Sequence, residues 1–408
     1  MRILHTSDWH LGSSLYGKKR YEESQMFLDW LLGTINESKI DLLLVSGDIF
    51  DTSAPGSRAQ NIYYQFLGDI ARSYCQSVVI VAGNHDSPSL LSAPRDILRF
   101  LNIHVIGNIT EKLEEQVIQI TDDTGNVKLF ICAIPFLREK DIITTTSNET
   151  GESRETLLTK GIMNHYARVT GLAEKMKNRV DPSIPIIATG HLFAAGCETK
   201  TDDRIRECYI GNDVLIGADA FPPSLSYVAL GHLHTSQKVA KTDFIRYSGS
   251  PYPIGFSEAG QEKQVIVIEV DGSHSIFIEG HHIPRFQQLM TLNGSKEEIE
   301  EQIFQLSLEG SKIWVDVQVH GIDPPAVLQN WFFELTKNTG IECLKITSTA
   351  CSDPVTASGD IPLEEISERE VFEKRLDDED MSPAEREDLI QAFEEIFQAY
   401  LERDLSDR

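Results

Sequence analysis

Long hydrophobic runs are missing from this sequence of 408 residues. A helix that spans a bilayer needs about 20 consecutive apolar residues, and no segment here approaches that length. The first residues also contain too short an apolar stretch for a secretory signal peptide. With 41% hydrophobic and 25% charged residues, the composition is typical of a globular protein of two or three domains. We therefore expect a cytoplasmic protein with no membrane partner.

Paired cysteines are missing as well. No two of the six cysteines have Cys-x-x-Cys spacing, and they are scattered at Cys75, Cys132, Cys197, Cys208, Cys343 and Cys351. Zinc ribbons need such pairs, and disulfide frameworks are typical of short secreted chains. The sequence excludes both kinds of scaffold and predicts reduced, mostly buried thiols.

Positive charge is scarce. The chain has 37 Lys and Arg against 63 Asp and Glu, which gives a formal net charge of −26. Such a chain does not hold nucleic acid through its overall field. The excess is uneven, because residues 361–408 alone contain 17 acidic and six basic residues. An acidic chain can still bind a polyanion where metal ions or a partner protein supply positive charge.

Apolar runs of strand type alternate with helical patterns early in the chain and follow one another closely later. They lie at residues 2–6, 41–46, 77–82, 129–134, 184–189, 226–230 and 265–270. Strands that are apolar on both faces are typical of parallel sheets covered by helices. The pattern predicts an α/β fold over residues 1–284, a two-sheet sandwich flanked by helices.

The pattern changes after residue 284. Three strands alternate with two helices and predict a small α+β cap domain over residues 285–350. Residues 351–361 contain proline and glycine and are expected to form a linker. Residues 362–408 predict an acidic helical tail, in which a capping box at residues 382–385 precedes an apolar stripe at 389–401. That stripe must be buried, either against the chain's own body or against another protein.

The strongest functional signal is the type of residue that follows five of the apolar runs. In chain order these residues are Asp8 and His10; Asp48 and Asp51; Asn84, His85 and Asp86; His191; and His232 and His234. In open α/β sheets, binding sites form at the carboxyl ends of strands. A single histidine is more often a core residue than a ligand, but five coincident strand ends predict one shared metal site.

The types of donor limit the ion. Carboxylate, amide and imidazole groups without thiolate suit Mn, Fe or Zn in near-octahedral geometry. So many side chains, of which about seven could be ligands, are too many for one ion but fit two ions that share a bridging carboxylate. Two ions roughly 3.5–4 Å apart can clamp a phosphoryl group and activate the attacking water. The pattern therefore predicts two divalent cations and phosphoester hydrolysis.

The order of these motifs resembles the calcineurin-like metallophosphoesterase superfamily. The series is Asp-x-His, Gly-Asp-x-x-Asp, Gly-Asn-His-Asp, Gly-His and Gly-His-x-His. The flanking residues at 7–12, 47–52, 187–192 and 248–251 make the chain similar to the SbcD family of bacterial nuclease subunits. The last of these segments reads Ser-Gly-Ser-Pro. The resemblance covers the whole body and is weakest in the acidic tail.

The resemblance implies a role for each site residue. The implied ligands are Asp8, His10 and His234 for the first ion, Asn84, His191 and His232 for the second, and Asp48 as the bridge. His85 would face the scissile phosphate and stabilise the transition state or protonate the leaving oxygen. Asp86 would orient the His85 imidazole or cap the following turn. Asp51 is expected to be a local structural acceptor, and Trp9 to pack in the core beneath the ligands.

The resemblance also implies the substrate and the partner. SbcD-like proteins are manganese-dependent nucleases that degrade duplex ends and cut hairpins in DNA repair, replication and recombination. They act with SbcC, a coiled-coil ATPase that would supply the missing DNA-binding surface and receive the tail. A homodimer within a heterotetramer is implied too. In this chain, residues 18–20 could contact DNA phosphates or simply begin a solvated loop.

Two other functions remain open. A metallophosphoesterase that acts on a small phosphodiester or a phosphoprotein would share every ligand, but it would not need the cap or the amphipathic tail. A non-catalytic scaffold with the same fold could lose ligands or the acid, whereas this chain has His85 and all seven ligands.

Overall fold

The computed structural model describes residues 1–110, 112–122, 124–142, 153–194, 215–310 and 312–349. The predicted linker at residues 351–361 and the predicted tail at 362–408 lie outside these described residues. No helix in the described ranges has both the length and the apolar character that a membrane crossing requires.

The described residues form 17 strands and eight α-helices, besides four short 3₁₀ helices. The strands are β1 (Arg2–Thr6), β2 (Ser14–Leu15), β3 (Lys18–Lys19), β4 (Leu42–Ser46), β5 (Ser77–Val81), β6 (Ile103–Ile106), β7 (Val117–Thr121), β8 (Val127–Cys132), β9 (Ile186–His191), β10 (Tyr227–Gly231), β11 (Gln237–Lys238), β12 (Ile245–Tyr247), β13 (Gln264–Val270), β14 (Ile276–His282), β15 (Gln288–Gly294), β16 (Ile313–His320) and β17 (Ile341–Thr349). The helices are α1 (Tyr21–Glu37), α2 (Ser57–Ile70), α3 (Pro88–Ser92), α4 (Arg95–Arg99), α5 (Glu139–Ile142), α6 (Arg154–Val180), α7 (Lys296–Glu309) and α8 (Pro325–Thr336).

Two six-stranded sheets form the body. The first has the order β14-β13-β1-β4-β5-β6, and β1, β4, β5 and β6 run parallel. The second has the order β11-β12-β10-β9-β8-β7, and β12, β10, β9 and β8 run parallel. Parallel strands in both sheets explain the apolar runs, because such strands are covered on both faces.

The side chains of β4 alternate between two hydrophobic cores, as the period of a strand requires. Leu43 and Val45 pack with apolar residues of α1 and α2. Leu42 and Leu44 face the other way and pack against residues of the second sheet. Helix α6 covers the remaining face of that second sheet. The layer order is helix, sheet, sheet, helix, so the predicted αββα sandwich is confirmed.

A third sheet lies within the residues predicted to form the cap. Its strands β15, β16 and β17 run parallel, and α7 and α8 connect them. Helix α7 begins with a capping box between Ser295 and Glu298, and Gly310 ends it with a φ of 67°. Lys18 of the β2–β3 hairpin forms an ion pair with Glu342 of β17 at 2.7 Å. The domain boundaries at residues 284 and 350 stay predictions.

His5 on β1 is a buried titratable group between the two sheets. Its Nδ1 lies 3.0 Å from the Tyr227 hydroxyl and its Nε2 lies 3.2 Å from the Leu230 carbonyl oxygen. A carbonyl only accepts, so Nε2 carries the proton and the neutral ring satisfies both neighbours. Burial lowers the pKa of His5 to about 3, and the bond to Leu230 opposes this shift only in part.

We expect acid to weaken the fold through His5. Between a pH of about 6.5 and about 3, the unfolded chain binds a proton at this position that the folded chain does not. The stability that the neutral ring provides is therefore present above the unfolded pKa and is lost as the pH falls towards the folded pKa. From pH 7 to 4.5 this loss amounts to about 2 kcal/mol. His5→Gln should lack this part of the pH dependence.

Urea unfolding at pH 7 and pH 4.5 measures the effect. The exposed His282, whose side chain is 70% accessible, supplies the control variant His282→Gln. If His5→Gln lost as much free energy of unfolding on acidification as the wild type, His5 would not be the titrating group.

Candidate metal centre

The seven predicted ligands converge at the carboxyl ends of five strands. Asp8 and His10 follow β1, Asp48 follows β4, Asn84 follows β5, His191 ends β9, and His232 and His234 follow β10. Three of these strands belong to the first sheet and two to the second. The site therefore exists only because the two sheets pack face to face.

The backbone is strained at four of these ligands. The φ values are positive, a range that residues other than glycine rarely adopt. They are 54° at Asp8, 44° at His10, 50° at Asp48 and 106° at His232. Hydrogen bonds between the loops hold this geometry: the amide of Asp8 donates to the Gly47 carbonyl at 3.0 Å, and that of His10 donates to the Asp48 carbonyl at 3.1 Å. Strain of this kind persists where a site depends on the resulting side-chain directions.

Asp8, His10 and His234 form the first ligand group. One ligand atom of each lies within 4.8 Å of the others. His10 Nε2 is buried and has no hydrogen-bond partner among the described residues. A buried polar atom without a partner is costly unless something else occupies its lone pair. This nitrogen therefore fits a metal ligand better than a core residue.

Asp48, His191 and His232 form the second ligand group, with ligand atoms again within 4.8 Å of one another. Asn84 belongs to the same cluster, because its Oδ1 lies 2.9 Å from His191 Nε2 and 3.2 Å from His232 Nδ1. Burial, together with the nearby His191, lowers the pKa of His232 to about 3. A neutral imidazole is the form that binds metal ions.

Asp48 lies between the two groups. Its Oδ2 is 3.2 Å from His191 Nε2 and 3.6 Å from His10 Nε2. Burial opposes ionisation, but His191 and His10 hold the pKa of Asp48 well below its usual range. In turn, and against the effect of burial, Asp48 raises the pKa of His191 to about 9. An ionised, buried carboxylate shared by both groups fits a bridge between two divalent ions.

Two glycines allow this close approach. A Cβ atom on Gly83 would lie 2.1 Å from Asp48 Oδ1 and 2.4 Å from the Asp48 amide nitrogen. A Cβ atom on Gly47, which has a φ of 90°, would lie 2.3 Å from His191 Nδ1. Both loops can therefore carry their ligands only with glycine at these positions.

His85 lies beside the ligands without belonging to either group. Its Nδ1 is 2.8 Å from the carbonyl oxygen of Asp51, and its ring packs edge-on against His10 at 5.0 Å between centroids. The Asp51 carboxylate also contacts His10, at 3.4 Å from its Nδ1. Asp51 thus acts as the local acceptor that the sequence predicted, and it contacts two site histidines.

Asp86 is bonded to the backbone of the neighbouring loops. Its carboxylate accepts hydrogen bonds from the backbone amides of Ile49, Phe50 and Gly83 at 2.8–3.1 Å. These bonds tie the Asp48 loop to the Asn84 loop, while the contact that orients His85 Nδ1 comes from Asp51. Burial and the nearby Asp48 raise the pKa of Asp86 to about 6. Asp86 therefore helps to hold the two loops together, and its role in orienting His85 stays a prediction.

Other predicted residues have clear places. Trp9 is fully buried, and its Nε1 donates to Thr6 Oγ1 at 3.1 Å, so it packs beneath the ligands as expected. Arg20 is buried against Glu23 at 2.6 Å and donates to the Pro253 carbonyl, so it does not contact DNA. Lys18 forms an ion pair with Glu342. Of the three basic residues at 18–20, Lys19 keeps an exposed side chain that makes no ion pair within the described residues.

Sequence reasoning missed Glu258 and Lys263. Glu258 Oε1 lies 3.5 Å from Nδ1 of the predicted ligand His234, and its other oxygen is 2.6 Å from Lys263 Nζ. Neither residue follows a predicted strand end. The available signal was a pair of oppositely charged residues shortly after the Ser-Gly-Ser-Pro segment, which alone does not indicate burial.

The fold and the two ligand groups define a metallophosphoesterase. The calcineurin-like phosphoesterase family matches residues 1–236, and the family described as type 5 capsule protein repressor C-terminal domain matches residues 285–380. Within this class, the chain belongs to the SbcD family, whose members are subunits of the nuclease SbcCD. It is 36% identical to SbcD of Escherichia coli K12 over 96% of this chain and 97% of the relative. The SbcD proteins of Rhodobacter capsulatus and Bacillus subtilis are 34% and 33% identical over 70% and 66% of this chain, and over 69% and 66% of their own lengths.

Proposed function

We propose that this chain is the nuclease subunit of an SbcCD-type complex, a two-metal DNA phosphodiesterase. It degrades duplex ends as an exonuclease and cuts hairpins and single strands as an endonuclease. The observation that carries this proposal is the pair of ligand groups, in which Asp48 of the second group lies 3.6 Å from His10 of the first. The names of the relatives supply the nuclease activity and the complex. The proposed substrate is chromosomal DNA in repair, replication and recombination. The proposed location is therefore the cytoplasm.

The proposed roles follow the two groups. Asp8, His10 and His234 hold one ion; Asn84, His191 and His232 hold the other; Asp48 bridges them. When bound, two such ions polarise the phosphodiester and activate a water molecule. Manganese is the proposed ion, since mixed oxygen and nitrogen donors without thiolate suit it and the family resemblance favours it.

His85 is the proposed acid. Its Nδ1 faces a carbonyl oxygen, which only accepts, so this nitrogen carries a proton. Nε2 is then the nitrogen that meets the scissile phosphate. A protonated ring there stabilises the developing charge and can donate to the leaving oxygen.

A nuclease assay tests the proposal. Purified protein is incubated with end-labelled duplex and hairpin DNA in Mn²⁺, Mg²⁺ or EDTA, and in parallel with bis-p-nitrophenyl phosphate. Cleavage of DNA that depends on the metal is the expected result. If only the small ester is hydrolysed, the assay is repeated with the ATPase partner and ATP. DNA that survives those conditions would favour the alternative, a phosphoesterase for small substrates.

The proposed partner is an SbcC-type coiled-coil ATPase that binds the tail at residues 362–408. The apolar stripe at 389–401 needs a surface to cover it, and the ATPase brings the positive charge that this chain lacks. We expect deletion of residues 361–408 to abolish copurification with the ATPase and to leave the melting temperature and metal content of the body unchanged. The full-length chain, purified in parallel, is the control. A truncated chain that still copurifies would place the contact elsewhere.

The proposed assembly contains two copies of this chain in a heterotetramer. Ile97, Phe100 and Leu101, in and directly after α4, are 72%, 91% and 47% exposed. Three neighbouring apolar side chains in water are typical of a surface that a second protein covers. A second copy is the occupant we propose, in line with the family resemblance.

We expect Phe100→Glu to convert dimers into monomers without changing the melting temperature, because the side chain has almost no contacts to lose within the chain. Sedimentation velocity measures the change. Ile322→Glu, at another exposed apolar position with 90% accessibility, is the matched control and should stay dimeric. A Phe100→Glu variant that sediments as the wild type would exclude this surface.

A further inference from the structure

Residues 248–263 form a supporting segment behind the first ligand group. Ser248 Oγ lies 2.8 Å from Ser7 Oγ, and the Ser7 hydroxyl donates to the Asp8 carboxylate. This segment contains the Ser-Gly-Ser-Pro sequence, although none of its residues is a predicted metal ligand. It reaches Asp8 through one serine pair, and it reaches His234 by a separate route.

Glu258 makes the contact with His234. Its side chain is only 3% exposed, and its Oε1 faces His234 Nδ1 at 3.5 Å. The other carboxylate oxygen accepts from Lys263 Nζ at 2.6 Å and from the Ile254 amide at 3.2 Å. A carboxylate only accepts, so it favours the form of His234 that carries a proton on Nδ1. Nε2 is then available as a metal ligand.

Lys263 holds both Glu258 and the backbone of His234. Besides its bond to Glu258, its ammonium group donates to the His234 carbonyl oxygen at 2.9 Å and to Ser250 Oγ at 3.0 Å. The Ser250 amide donates to that same carbonyl at 3.1 Å. The ring and the main chain of His234 are therefore both fixed by the supporting segment.

The second ligand group is held differently. His191 Nδ1 faces the Ser46 carbonyl oxygen at 2.9 Å, and the His85 amide donates to Asp48 Oδ1 at 3.0 Å. These contacts come from the main chain, at the end of β4 and in the loop after β5. A change in the side chain of Glu258 should therefore alter the arrangement of the first ligand group and not that of the second.

We propose that Glu258 is a positioning residue for the first metal ion and that Lys263 anchors it. Glu258 holds His234 with Nδ1–H towards its own carboxylate and Nε2 towards the ion, and so it sets the affinity of the first site alone. This inference rests on the proposed two-metal function. Carboxylates behind metal-binding histidines change metal affinity roughly 10–100-fold in other proteins.

Calorimetric titration of the chelator-treated full chain with Mn²⁺ tests the proposal. The wild type should bind two ions. In Glu258→Gln, one site should weaken roughly 10–100-fold, while the other stays within about twofold of the wild type. Glu262→Gln, at an exposed position four residues away with 80% side-chain accessibility, is the matched control and should bind both ions normally.

A second variant guards against misfolding. Glu258→Gln leaves Lys263 buried without its ionic partner, whereas Glu258→Gln/Lys263→Met removes both charges and avoids an unpaired buried ion. The double variant should show the same selective weakening and a melting temperature near that of the wild type. Unchanged affinity at both sites in folded variants would overturn the role of Glu258. A wild-type chain that takes up fewer than two ions would overturn the two-metal function itself, and this inference with it.

Discussion

Replacing His85 by leucine is expected to lower DNA hydrolysis by roughly 10²–10⁴-fold, the usual contribution of a general acid, while both ions stay bound. The expectation follows from where the side chain lies. His85 packs against the ligand His10 at 5.0 Å between ring centroids but belongs to neither ligand group. Its backbone amide, which donates to Asp48, is unaffected by the substitution.

Two measurements on the same preparation separate chemistry from metal binding. Calorimetric titration with Mn²⁺ should give two ions for both the wild type and His85→Leu, whereas the rate on end-labelled duplex DNA should fall. The exposed His282 supplies the control variant His282→Leu, which should keep full activity. If His85→Leu cleaved DNA at the wild-type rate, the proposed acid would be another group; if it lost an ion, His85 would be a ligand.

The sequence could point to the candidate ligands because they follow a general rule of parallel sheets. Strands buried on both faces were recognisable from uninterrupted apolar runs, and the residues at their carboxyl ends could be read directly. The position of Asp48 between the two ligand groups could not be predicted in this way. It depends on how the first sheet packs against the second, a relation that no local pattern contains.

Asp86 and Arg20 show that neighbours in sequence can have different surroundings. Asp86 directly follows His85, yet its carboxylate points to three backbone amides of other loop residues. Arg20 directly follows two exposed lysines, yet the turn from β3 into α1 buries it against Glu23. In both cases the backbone between adjacent residues changes direction, so the two side chains face different surroundings.

Glu258 and Lys263 could not be predicted for a different reason. Charged residues in a loop are usually exposed, and composition alone favours that interpretation. Their burial is tolerable only because each satisfies the other, at 2.6 Å, and because the His234 loop offers further partners. That loop follows β10 of the second sheet, and His234 lies 29 residues before Lys263 in the chain.

Asp48→Asn should weaken both ions, and it is the sharpest test of a shared ligand. The substitution keeps the shape of the side chain and an oxygen that can accept from the His85 amide, so the fold should persist. It removes the charge that faces His191 at 3.2 Å and His10 at 3.6 Å. We expect the affinity of each site for Mn²⁺ to fall by more than roughly 100-fold, the upper range for loss of a residue behind the ligands, and DNA cleavage to be lost.

Asp51→Asn is the matched comparison, since this neighbouring carboxylate lies 3.4 Å from Nδ1 of His10, which belongs to the first group. It should weaken one ion and spare the other. In the metal-free chain, Asp48→Asn should also lower the pKa of His191 from about 9 towards its ordinary value, because Asp48 supplies the charge that raises it. NMR titration of the His191 ring measures that shift. Loss of only one ion in Asp48→Asn would mean that the carboxylate belongs to a single site and does not bridge.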